Sequence, residues 1–89
     1  MTREHLRQAS ELVADAADRA DGEAADRLAD FADRLDRMAE AQRDPDHGRM
    51  ATVLLKLDEI AGEVDADVAA TIQEAREHVT EFRKTVEGV

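Results

Sequence analysis

The sequence contains no cysteine, which excludes disulfides, thiolate metal sites and a cysteine nucleophile. Serine occurs once, at Ser10. The nearest histidine along the chain, His5, falls on a different side of any helix the two would share, so no nucleophile and base are paired by spacing. Glycine is confined to four isolated positions, Gly22, Gly48, Gly62 and Gly88, and none builds a phosphate-cradling loop. The two aromatics, Phe31 and Phe82, both fall on apolar helical stripes. Every arginine is interleaved with aspartate or glutamate, so the basic, aromatic-studded surface that nucleic acids require is not expected. No apolar run approaches the roughly 18 residues of a membrane span, and no basic start leads into one. The expectation is a cytoplasmic protein with no membrane and no nucleic acid as partner.

What the chain has in excess is acid. Against 22 aspartates and glutamates stand 12 basic residues, of which only Lys56 and Lys84 are lysines, giving a formal charge of -10. The acids are spread over every segment instead of gathered in a tail. Such a surface suits a protein kept soluble in concentrated salt, where screening removes most of the self-repulsion; a positively charged partner is the competing explanation. Sustained apolar periodicity and a single proline argue against disorder.

At 89 residues the chain makes one domain, 1–89, near the size at which one core is marginally sufficient. Apart from alanine and Met1, seven large apolar residues lie in positions 2–43 and thirteen in 44–89. The densest stretch is Met50 to Val64, where Met50, Val53, Leu57, Ile60 and Val64 recur at helical spacing, widened by Leu54 and Ala61. This helix is expected to be the centre on which the others lean. Leu55 lies off its stripe, on a side shared with Ala51 and Gly62, so these three form a candidate interface, most naturally between two copies of the chain.

Around it the pattern reads as two helical hairpins, 2–43 and 44–87. Thr2 is placed to cap a first helix to about Ala20, with Leu6, Ala9, Val13, Ala16 and Ala20 on one face and Leu12 beside them. Asp21-Gly22 breaks the pattern, and Asp21 is placed to cap a second helix to about Arg43 carrying Ala24, Leu28, Phe31, Leu35 and Met38. The pairs Asp15–Arg19, Glu23–Arg27, Asp30–Arg34 and Asp33–Arg37 have the acid-first spacing of a solvated helix face. Asp44-Pro45-Asp46 is the clearest boundary, a cap and a first-turn proline starting the third helix. After Gly62, Asp65 or Asp67 can cap a fourth, with Val68, Ile72, Ala75, Val79, Phe82 and Val86 on one face. Because the stripes continue across residues 20–22 and 62–67, two long helices are the alternative to four short ones.

Candidate ligand residues are few. Glu74 and His78, one turn apart on the fourth helix, form a weak metal or ligand pair, since the Glu-x-x-His arrangement of di-metal bundles is missing where position 75 is alanine. His47 beside Asp44 and Asp46 superficially suggests a cation loop, but the calcium pattern needs an acid near position 55, which is leucine; helix capping accounts for both aspartates.

The segments MTREHLRQASELV, ADGEAADRL, DPDHGRM, VDADVAATIQEA and TVEGV together resemble a family of small acidic haloarchaeal proteins of unknown function. The resemblance implies a saline habitat and a helical fold and transfers no activity, cofactor or site. The sequence thus predicts an all-α, antiparallel bundle of about four amphipathic helices, at least dimeric, with no catalytic residues and no cofactor. The expected role is a non-enzymatic protein-protein interaction or regulatory module; the alternative is a small ligand- or metal-binding bundle using Glu74, His78 and His47.

Overall fold

The computed structural model describes residues 3–41 and 47–85. These form α1 (Arg3–Arg19), α2 (Gly22–Glu40), α3 (His47–Ala61) and α4 (Ala66–Arg83). Four short helices therefore replace the two-helix alternative. The longest dimension is 36 Å, well short of the about 60 Å that roughly 40 residues of unbroken helix would span.

Each break has a backbone cause. Between α1 and α2, Asp21 is extended at φ -126°, ψ 156°, and Gly22 follows at φ +61°, in the left-handed region that a Cβ disfavours. A Cβ at Gly22 would meet open space, so conformation alone selects glycine there. At the end of α3 the Gly62 amide is shared between the carbonyls of Asp58 (3.3 Å) and Glu59 (3.2 Å), and the Glu63 amide turns back to Ile60 at 2.9 Å. Helix α4 restarts after an extended Asp65. Asp21 and Asp65 do occupy the N-cap positions, but neither side chain accepts a first-turn amide. What they contribute is negative charge at the positive end of a helix dipole. Thr2, Asp44-Pro45-Asp46 and Val86 lie outside the described residues.

The predicted stripes are the buried ones. Leu6, Ala9, Val13 and Ala16 of α1 meet Leu28, Phe31 and Leu35 of α2, Met50, Val53, Leu57 and Ile60 of α3, and Val68, Ile72, Ala75, Val79 and Phe82 of α4 in one core. Ala32 and Ala39 extend the buried face of α2, while Ala20, Ala24, Met38 and Val64, at the margins, are half-buried. The short turns make α1/α2 and α3/α4 antiparallel neighbours. Helices α1 and α4 are antiparallel too, because His5 meets His78 at one end and Arg19 reaches Thr71 and Asp67 at the other.

One expectation is corrected. Helix α3 is not the centre: α1 packs on α2 and α4, α4 packs on α1 and α3, and α3 has α4 as its one close neighbour among the described residues. The order across the bundle is α2, α1, α4, α3. Small faces explain it. Ala9 and Ala16 on α1 and Ala75 on α4 are fully buried and let backbones approach closely, whereas the bulky stripe of α3 fills the core from its edge. A square bundle would also close α2 onto α3, and here that side stays open.

Candidate functional site

The open side is a groove of about 920 Å³ between α2 and α3. Phe31 and Met38 from α2 and Val53 from α3 supply its apolar lining, and Arg27, Arg34, Arg37, Arg49 and Lys56 surround it. Five of the 12 basic residues of the chain thus border one groove, and among the described residues its lining holds one carboxylate, Asp30. In a molecule of charge -10 this is a local gathering of cations, three of which are paired with carboxylates beside the groove, Arg27 with Glu63, Arg37 with Asp33 and Lys56 with Glu59.

Helical spacing puts these side chains there. On α2, positions 27, 30, 31, 34, 37 and 38 fall on one stripe, and on α3, positions 49, 52, 53 and 56 do the same. The buried faces of the two helices turn Leu28 and Leu35, and Met50 and Leu57, inward, which leaves the flanking arginines and lysine facing one another. Of the acid-first pairs read from the sequence, Asp15–Arg19 (3.1 Å) and Asp33–Arg37 (2.6 Å) form. The other two arginines are used differently. Arg27 crosses to Glu63 in the α3–α4 turn, with Nη1 at 3.1 and 3.4 Å from the two carboxylate oxygens, and closes one end of the groove. Arg34 lies over the Phe31 ring, 5.4 Å from its centroid, and makes no ion pair among the described residues. Lys56 has Glu59 at 4.0 Å. These are exposed contacts, individually weak and easily exchanged for another carboxylate.

The histidines are arranged in a way the sequence did not suggest. His78 sits against His5, with the two Nδ1 atoms 3.1 Å apart and ring centroids 5.4 Å apart at a 36° tilt. One Nδ1 must carry a proton and the other must not for this to be a hydrogen bond. Glu74, the expected neighbour of His78, is exposed to solvent, and the His47 side chain lies outside the described residues. Among the described residues no three histidine or carboxylate groups converge as a metal cluster. Ser10 is buried, and its hydroxyl donates to the Ala32 carbonyl at 2.7 Å.

On the outer side of α3, Leu55 is 58% exposed, and Ala51 and Gly62 are exposed with it. No other large apolar side chain among the described residues stands so far out of the core. Another contact escaped sequence reasoning: the Arg3 guanidinium donates to the carbonyls of Met38 (3.2 Å), Ala39 (3.4 Å) and Ala41 at the end of α2. A cation there satisfies carbonyls that a helix C-terminus leaves over. The signal for the groove was present as arginines seven positions apart, but interleaved acids made them read as a solvated surface. His5 and His78 are 73 positions apart, and nothing in either local pattern announces the other.

Among the described residues no helix is long and apolar enough to cross a membrane. Neither a curated protein nor a solved structure matches the chain. A family model does match, over residues 1–85, and with nearly the whole length covered the chain belongs to the Family of unknown function (DUF7553).

Proposed function

We propose that this protein is a non-enzymatic interaction module, adapted to the high-salt cytoplasm of an archaeal cell and self-associating through the outer face of α3. The observation that carries the reading is Leu55, at 58% exposure, beside the small residues Ala51 and Gly62. Small residues on either side of a protruding leucine let a second helix approach closely enough to cover it. Burying a leucine is favourable by about 1.5–3 kcal/mol, or about 3–6 kcal/mol over two copies, which is of the order of the lower association costs, so a dimer on this face is weak and needs the flanking Ala51 and Gly62 surface covered as well. The acid-rich, lysine-poor surface supports the salt adaptation. Ser10 is committed to a backbone carbonyl inside the core, which speaks against a serine nucleophile.

Sedimentation of wild type and Leu55→Asp in molar potassium chloride tests this. The wild type is expected to sediment as a dimer and the variant as a folded monomer; a folded variant of unchanged mass defeats the interface. Repeating circular dichroism from dilute to molar salt tests the habitat, with helicity expected to rise.

A second reading has one observation in its favour. The paired Nδ1 atoms of His5 and His78 bring two imidazoles from different helices together, as a site for a transition-metal ion would begin. Stoichiometric metal in untagged protein, lost in His78→Ala, would promote a ligand-binding bundle, with Glu74, one turn before His78, and Glu81, close enough to feel the His5 charge, as carboxylate candidates on the same helix.

A further inference from the structure

We infer that the groove between α2 and α3 is a docking site for an acidic amphipathic helix of a partner protein. The inference shares the interaction-module reading but uses another face of the molecule, independent of Leu55. Its first support is charge. Five cationic side chains surround the groove of a chain whose net charge is -10, and the ion pairs of Lys56 and Arg37 are exposed and exchangeable.

The second support is period. Arg27 and Arg34 on α2, and Arg49 and Lys56 on α3, are each seven positions apart, as are Phe31 and Met38 between the rows. Seven residues of helix rise about 10.5 Å, so each wall presents a cation every two turns and the lining an apolar group at the same interval. That is the repeat an α-helix shows when it places apolar residues along a seam and charged residues on both flanks. From Arg27 to Ala41 the α2 wall is about 20 Å long, room for roughly four turns of a guest. A guest with glutamates at seven-residue intervals on both sides of a leucine stripe would match both rows at once.

Other occupants fit less well. Asp30 in the lining and the carboxylates of Glu59 and Glu63 beside Lys56 and Arg27 interrupt the cations, a pattern that suits carboxylates spaced two turns apart better than the continuous phosphates of a nucleic acid. The Phe31 face is taken by Arg34, so bases find no stacking platform. A second copy of the chain is acidic, but its four helices already spend their apolar stripes in their own core.

The test uses the full chain and a fluorescently labelled synthetic helix of about four to six turns, built of heptads with leucine at the seam and glutamate on both flanks. Fluorescence anisotropy in molar potassium chloride, where contact ion pairs and the apolar seam persist, is expected to show saturable binding that tightens as salt is lowered over the range in which helicity is unchanged. Arg34→Glu with Lys56→Glu, one on each wall, is expected to weaken binding at least about tenfold at unchanged helicity. A lysine-flanked version of the peptide should prefer that double variant over wild type. Should the double variant lose helicity, Arg34→Gln with Lys56→Gln serves for the same comparison. Leu55→Asp is expected to bind the peptide as wild type does, so loss of self-association and loss of docking are read separately. The inference is overturned if wild type gives no saturable binding, if both groove variants bind as tightly as wild type, or if an oligonucleotide of equal charge displaces the peptide.

Discussion

The α1–α4 seam and the α2–α3 side of the same bundle are lined from the same few residue types and end in opposite states. At the first, Leu6, Ala9, Val13 and Ala16 face Ile72, Ala75 and Val79, all without measurable exposure. At the second, Phe31 and Val53 keep a little exposure, Met38 more, and the helices do not close. The difference lies beside the stripe and not in it. On α1 and α4 alanine lets the backbones come together, and polar groups at the ends pair across the seam, as Arg19 does with Asp67 at 3.7 Å. On α2 and α3 the flanks are cationic on both walls, and bringing them together would press like charges against each other while desolvating them. An apolar stripe thus determines which way a helix faces; its flanks decide whether a neighbour closes on it.

The comparison is most directly broken in the closed seam. Leu6→Ala removes a fully buried side chain and is expected to cost about 2–5 kcal/mol in denaturant unfolding, because the close-packed surroundings cannot collapse into the space. Val53→Ala, in the groove lining, is expected to cost less, about 1–2 kcal/mol, since solvent already reaches that side and fewer atoms lose contact. Equal losses at the two positions would mean that the open side is packed as tightly as the closed one. The smallest effect belongs outside both regions. Lys84 hydrogen-bonds Glu81 at 3.0 Å and, together with its charge, holds that carboxyl below its usual range. Lys84→Ala should let the Glu81 titration move upward, as followed by NMR. A depressed carboxylate favours the fold above its unfolded-state value and loses that contribution as pH falls through the folded one, so acid should erase the difference between variant and wild type.

Periodicity made the helices and their inward faces legible, since Leu28, Phe31 and Leu35, or Val68, Ile72 and Val79, can be buried on one side only. The break at Gly22 was legible as an Asp-Gly step, and its left-handed backbone is the physical content of that signal. The rank of the helices was not. Bulk suggested that α3 lies at the centre, whereas closeness of approach, set by Ala9, Ala16 and Ala75, puts α1 and α4 there. The groove was hidden because Arg27, Arg34, Arg49 and Lys56 each have acids close by in sequence, and only the fold shows that they gather across two helices. His5 with His78, and Arg3 with the end of α2, depend on chain crossings that no local pattern encodes.

Arg3 makes the first hairpin a closed circuit: its two helices are joined by the turn at Gly22 and, at the other end, by one guanidinium clasping three carbonyls. The clasp grips the chain at Ala41, which is also at the mouth of the groove. Whatever pulls the beginning of the polypeptide away, a fused tag or a bound neighbour, therefore tugs on the doorway between α2 and α3, and leverage on that entrance is available from a part of the molecule that does not touch its contents.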